Sequence, residues 1–158
     1  MSSKPDFDSV IELYSVEIFA YLWRQLGGRE DAEDCLQEVF VRAFKAYDRL
    51  NENPHIRAWL YKIATNEANS FRRKRDRNLS HNVDIDFDFI ASDPSPMEQL
   101  ELKERVDIIM GAVDTLPPRQ RSAFLMRKYQ ELSYAEISRI LDCSEGTARA
   151  NVYQALKK

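Results

Sequence analysis

Apolar residues recur at three- and four-residue steps through most of this chain, and the recurrence breaks down only between residues 79 and 96. That is the period of a helix face turned toward a core, so the sequence predicts an all-α fold. The first pattern runs from about Asp6 to Leu26 through Val10, Leu13, Tyr14, Ile18 and Leu22, and Gly27-Gly28 ends it, as glycines end helices. The second runs from about Arg29 to Leu50, with Ala32, Cys35, Leu36, Val39, Phe40, Ala43, Phe44 and Tyr47 on one stripe. Its first turn holds Glu30, Asp31, Glu33 and Asp34, where the helix dipole favours acids. After the loop Asn51 to Pro54, a third pattern from about His55 to Arg75 turns Trp59, Leu60, Ile63, Ala64, Ala68 and Phe71 inward. Three helices joined by short loops predict a compact bundle.

From Leu79 to Pro96 the residues Asp84, Asp86, Asp88, Asp93, Pro94 and Pro96 mark an acidic, flexible linker. The chain therefore divides into two small helical domains, a three-to-four-helix bundle over 1–78 and a second unit over 98–158, joined by residues 79–97. In the second unit a helix is expected over about Met97 to Val113 and another from Pro118, a residue tolerated in a first turn. Ser133-Tyr134-Ala135-Glu136 reads as a capping box opening a helix that ends near Leu141. Ser144 then caps a further helix containing Thr147, Val152 and Leu156. Two helices across a three- or four-residue turn, the second polar on its outer face, form a helix-turn-helix pattern.

No stretch approaches the roughly 20 apolar residues that cross a bilayer, and Met1 to Asp8 lacks a signal core. The reading is a cytoplasmic protein without membrane insertion. Cys35 and Cys143 fall in separate units, and neither His55 nor His81 lies near a cysteine. No disulfide framework or zinc spacing results, and no cofactor or metal is called for. The net charge of -3 conceals an alternation: residues 1–61 carry -4, 62–79 carry +4, 80–118 carry -7 and 119–158 carry +4. Basic segments of that kind are where phosphate backbones bind.

The final helix offers Arg149, Asn151, Gln154, Lys157 and Lys158 as base-edge and phosphate donors, and leaves Ala148, Val152 and Ala155 for the core. Short helical hairpins also serve as plain packing. The third helix holds Tyr61, Lys62, Thr65, Asn66, Asn69, Ser70, Arg72 and Arg73 on its less apolar sides, followed by Lys74, Arg75 and Arg77. Cations suit a helix end in any case, yet a run of four beside amides and hydroxyls also suits a strand with exposed bases. Asp31, Asp34, Gln37 and Glu38 read as a wet face or as a site, and without an accompanying His they do not make an enzyme. Both cysteines are expected to be buried small hydrophobes.

Three blocks, in order and over nearly the whole chain, resemble the extracytoplasmic-function sigma factors of bacterial RNA polymerase. The first is Asp31-Ala32-Glu33-Asp34-Cys35-Leu36-Gln37-Glu38-Val39-Phe40-Val41-Arg42-Ala43-Phe44. The resemblance implies that Asp31, Asp34, Gln37, Glu38 and Arg42 face the clamp of the largest core subunit. The second is Arg57-Ala58-Trp59-Leu60-Tyr61-Lys62-Ile63-Ala64-Thr65-Asn66 with the basic run Arg72 to Arg75. It is similar to the helix that opens the minus-10 element and implies DNA contacts at Asn51, Asn53, His55, Arg57, Tyr61, Lys62, Asn66, Asn69, Ser70 and Arg73. In the family, the loop and the residue matching Asn66 capture a flipped base, which turns the cost of unstacking into recognition. Many relatives carry Asp where this chain has Ser70.

The third block runs from Leu116-Pro117-Pro118-Arg119-Gln120-Arg121 through Glu131-Leu132-Ser133-Tyr134-Ala135-Glu136-Ile137 to Gly146-Thr147-Ala148-Arg149. It resembles region four, the reader of the minus-35 element. That implies contacts at Arg119, Ser133, Ser144, Thr147, Arg149, Ala150, Asn151, Tyr153, Gln154 and Lys157. The common pattern continues Gly-Thr-Val-Lys-Ser-Arg, whereas this chain has Ala148, Ala150, Asn151 and Gln154, two fewer cations, which predicts a changed or weaker minus-35 preference. The implied partners are core RNA polymerase, through the clamp of its largest subunit and the flap of its second largest, promoter DNA, and an anti-sigma factor. The rival readings are a stand-alone helix-turn-helix regulator and a metal-dependent bundle using Asp31, Asp34 and Glu38.

Overall fold

The computed structural model describes residues 4–50, 55–78, 105, 108, 109 and 111–157. The linker expected over 79–97 lies outside them, as do the loop residues Asn51 and Asn53 and most of the helix expected over 97–113. Positions 105, 108, 109 and 111–114 are helical. The bounded helices are α1 (Phe7–Leu26), α2 (Arg29–Tyr47), α3 (Ile56–Asn78), α4 (Pro118–Lys128), α5 (Tyr134–Leu141) and α6 (Glu145–Leu156). No strand occurs among the described residues.

Helix α1 starts where the Asp6 carboxylate accepts the Ser9 amide at 2.9 Å; the Ser9 side chain first, and this amide second, hold the carboxyl below its ordinary pKa. It stops at Gly27, whose φ of 77° lies in the left-handed region and lets its N–H reach the Trp23 carbonyl. Two further end carbonyls, of Gln25 and Leu26, accept from Arg72 and Arg75 at 2.7 Å each. Half of the basic run read from sequence as surface therefore serves structure: Arg72 is buried and ties α3 to the end of α1, while Arg73, Lys74 and Arg77 stay exposed. Between α1 and α3, Tyr21 and Tyr61 meet edge to face at 5.1 Å, and the Tyr21 hydroxyl shares a 2.7 Å hydrogen bond with Thr65.

The apolar stripe of α2 buries Ala32, Cys35, Val39, Ala43 and Tyr47, but Phe44, expected inward, is 65% exposed. It lies at the edge of the stripe, where the Phe7 ring meets it at 5.4 Å between centroids. Trp59, expected in the core, is half-buried against Tyr47. Tyr61, expected on a less apolar side, is fully buried. Burial pushes the Cys35 thiol up to about 12, with Glu67, Glu38 and Asp31 adding to it, so it is inert as a nucleophile. Cys143 is only half-buried, since it sits in the turn after α5.

Helix α4 opens on Pro118 as foreseen. The C-terminal lobe then lays α4 and α5 against α1 and α3 of the N-terminal bundle. Beside a shared apolar cluster, the seam carries buried polar contacts: Gln25 donates to Ser122 at 2.8 Å, and Arg121 donates to Gln25 and Asn69 at 3.0 and 3.3 Å. Gln130 donates to the Tyr61 hydroxyl at 2.8 Å and to the Glu17 carbonyl at 3.1 Å. Desolvation, reinforced by nearby Arg72, lowers Arg121 to about 10.

Candidate nucleic-acid and polymerase interface

Three surfaces hold the residues expected to act. On α2, Asp34, Gln37 and Glu38 are exposed on the side away from the buried stripe. Asp31 is half-buried 3.6 Å from Arg75, and Arg42 pairs with Glu67 of α3 and, at 3.9 Å, with Glu38. Those two residues therefore brace α2 against α3 and flank the open acidic patch. Among the described residues no three His, Cys, Asp or Glu side chains converge as metal ligands would, so the acids of α2 form a face and not a pocket.

His55, just before α3, and Asn66 and Arg73 on it are exposed, and Ser70 accepts from Arg73 at 3.1 Å. Four other residues of this group face the C-terminal lobe. Arg57 forms a fork on Glu17 at 2.9 and 3.0 Å and reaches Glu136 at 3.2 Å, which raises its already high pKa. Tyr61 is held by Gln130, Lys62 pairs with Asp142 at 2.7 Å, and Asn69 accepts from Arg121. Sequence reasoning missed the partners Glu17, Gln25, Gln130 and Asp142. Gln25 alone carried a signal, as a polar residue on the same stripe as Leu22 and Leu26.

The helix-turn-helix forms as read. Ser133 and Glu136 make the reciprocal capping box, at 3.1 Å in each direction. Asp142 takes the left-handed conformation at φ 52°, and Ser144 accepts the Thr147 amide at 3.0 Å to start α6. Ala148, Val152 and Ala155 face inward, while Thr147, Arg149, Ala150, Tyr153, Gln154 and Lys157 are exposed and Asn151 is half-buried. Tyr134 lies between Arg127 and Arg149, whose guanidinium carbons are 4.3 and 5.0 Å from its ring centre, so its ring positions the Arg149 cation of α6. Arg119 donates to the Leu141 carbonyl at 2.8 Å and closes the end of α5. Ser133 is occupied as a cap.

The backbone bond from Ser133 is the largest cause holding the Glu136 carboxyl below its ordinary 4.5, followed on that side by the Ser133 side chain and Arg57. A lowered carboxylate stabilises the fold above its unfolded pKa and loses that contribution as pH falls through the folded value. Glu136→Gln is thus expected to melt below wild type at neutral pH, with the gap closing as pH drops past 4.5. Ser133→Ala is expected to cost about 1 kcal/mol. A thermal melt series across pH checks both; a gap that widens in acid contradicts the assignment.

Residues 10–78 match the family model for sigma-70 region 2, and residues 107–158 match that for sigma-70 region 4. The chain is 33% identical over 133 residues to the ECF RNA polymerase sigma-E factor of Escherichia coli (strain K12), covering 79% of this chain and 70% of that protein. The chain belongs to the ECF RNA polymerase sigma factors. As a sigma factor it directs RNA polymerase to promoters, and the family comprises initiation factors that are not enzymes. ECF RNA polymerase sigma factor SigE of Mycolicibacterium smegmatis is 30% identical over 97% of this chain, which spans 60% of that relative. Among solved structures, the sigma factor RpoE in complex with the anti-sigma factor NepR from Bartonella quintana superimposes with a TM-score of 0.72 at 25% identity, covering 96% of this chain and 92% of that one. CnrH in complex with the cytosolic domain of CnrY shares the fold, with a TM-score of 0.69 at 22% identity over 96% and 82%. No helix among the described residues is long and apolar enough to cross a membrane.

Proposed function

We propose that this sigma factor divides its work over three faces without supplying catalysis. Residues 1–78 hold the core-binding and minus-10 surfaces, and residues 98–158 hold the minus-35 reader. The exposed acids of α2, Asp34 and Glu38, dock on the polymerase clamp with Gln37 between them, Asp31 and Arg42 bordering. The α3 face presents Asn66 and Arg73 to the non-template strand, with His55, Arg57, Tyr61, Lys62, Asn69 and Ser70 around them and Asn51 and Asn53 contributing from the adjoining loop. The observation that carries the reading is α6: its buried side is small and apolar, while Thr147, Arg149, Ala150, Tyr153 and Gln154 face outward behind a capped N-terminus.

Helix α6 lays this outward row in a major groove, where Gln154 pairs with a base edge and Arg149 and Lys157 meet phosphates. The exposed methyl of Ala150 permits close approach to the groove. Arg119, Ser133 and Ser144 hold the unit in register from its caps. An anti-sigma protein is the expected regulatory partner, as in the complexes of RpoE and CnrH, and the protein works in the cytoplasm. Selection of bound promoters with wild type and Gln154→Ala tests the reader. A changed preferred minus-35 sequence, at a cost of about 1–3 kcal/mol on the base pair read, is expected; the same sequence for both removes Gln154 from base reading.

A further inference from the structure

Resting on the assignment of α6 to the minus-35 duplex, we infer that this helix reads adenine–thymine pairs: the Gln154 carboxamide takes an adenine, and the Ala150 methyl takes the methyl of a thymine within two steps of it. Ala150 and Gln154 are both exposed and stand four residues apart, so they share one face of α6. Side chains on a helix lean toward its N-terminus. Gln154 therefore leans toward Ala150, whose single methyl leaves the row open to a base edge. Among the described residues no hydrogen bond engages the Gln154 carboxamide, so its oxygen and its nitrogen are both available to a base.

The other polar groups of this face are tied elsewhere. The Arg149 guanidinium lies 5.0 Å from the ring centre of Tyr134, the first residue of α5, and the first helix of such a motif crosses the DNA backbone. The Lys157 ammonium lies 4.7 Å from the Tyr153 ring centre, past the end of α6. Asn151, the second amide, is half-buried, and the Thr147 hydroxyl accepts from Ser144 at 2.9 Å. The cations that would fork onto the two acceptors of guanine are thus held at the flanks, and the unengaged group is an amide. An amide matches adenine, its oxygen accepting from the N6 amino group while its nitrogen donates to N7. Guanine offers two acceptors on the same edge, so half of the amide goes unpaired there. An exposed methyl has only apolar surface to bury, which suits the thymine C5-methyl. Four residues of helix rise about 6 Å, less than two base steps of about 3.4 Å, which sets the spacing of the two contacts.

The test uses holoenzyme assembled from core RNA polymerase and the full chain, with selection from a promoter library randomised in the upstream element. Wild type is expected to enrich an A·T pair at one position where Gln154→Arg enriches G·C. At that position 7-deazaadenine, which lacks the N7 acceptor, is expected to weaken wild-type binding about fivefold or more and to leave Gln154→Ala unaffected. Uracil in place of the selected thymine removes one methyl and is expected to cost wild type about fourfold and Ala150→Gly nothing. Ala150→Ser, milder for a helix, serves where the glycine variant fails to fold. A wild-type preference for G·C at the position that Gln154→Arg alters, or no cost from 7-deazaadenine, overturns the adenine reading. An equal uracil cost in wild type and the Ala150 variant overturns the methyl contact. Where the Gln154 variants alter no position, the adenine reading has failed and Arg149→Ala distinguishes the cause. If Arg149→Ala weakens binding to the selected promoters, α6 stands as the duplex contact; if it does not, the assignment of α6 to the minus-35 duplex has failed.

Discussion

Asp34→Lys combined with Glu38→Lys is expected to lower the affinity of this sigma factor for core RNA polymerase by about a hundredfold, with no change in its melting temperature beyond a degree or two. Coupling across close charge pairs at protein interfaces reaches about 1.5–7 kcal/mol, and two reversals turn attraction into repulsion at the same patch. Neither residue supports the fold: both are exposed, and the only described ion pair at either is the 3.9 Å approach of Glu38 to Arg42. Competition for core polymerase against a labelled reference sigma factor, at two salt concentrations, measures the loss. Unaltered affinity removes the α2 face from the clamp contact. An equal loss of melting temperature and affinity assigns the acids to stability.

Leu60→Ala carries the largest expected effect on the fold itself. Leu60 has no exposed surface and sits on α3 between the buried residues Ile56 and Ala64, where the helix packs on both α1 and α2. Removing a buried leucine side chain costs about 2–5 kcal/mol through lost burial and the cavity left behind. For a chain of this size each kcal/mol moves the melting temperature by about 2–4 °C. A drop of about 10 °C is therefore expected, whereas Asn66→Ala, six residues on and on the exposed side, leaves the melt unchanged and weakens promoter opening. Equal melts for Leu60→Ala and wild type would contradict the packing described for α3.

Much of this was legible before any coordinates, for physical reasons that are local. The stop at Gly27, the box Ser133 to Glu136 and the cap at Ser144 are set by residues within one turn of each other, so spacing alone located three helix ends. Periodicity likewise placed Val39, Leu60 and Val152 inside. It failed at Phe44, on the margin of its stripe, and at Tyr61 and Arg72, whose polar atoms find partners far away in sequence. Tyr61 is buried because Gln130 accepts the task of satisfying its hydroxyl, and Arg72 because the end of α1 and the Asp114 side chain, 2.8 Å away, receive its guanidinium. A run of four cations looks alike in sequence whether it binds phosphate or caps a helix. The carbonyls of Gln25 and Leu26, with the carboxylates of Asp114 and Asp31, separate Arg72 and Arg75 from Arg73 and Lys74.

The seam between the lobes was invisible for the same reason, since its hydrogen bonds join residues about a hundred positions apart, as in Gln25 with Ser122. Long-range polar pairs leave no period. They leave only single residues out of pattern, such as Gln25 on the apolar side of α1.

The most direct test of the central claim is run-off transcription with core RNA polymerase and this protein on a mixed promoter library. The account predicts discrete transcripts that require the protein, arise from templates sharing a two-element promoter, and disappear with Asp34→Lys and Glu38→Lys together. Transcription that is the same with and without the protein would contradict it.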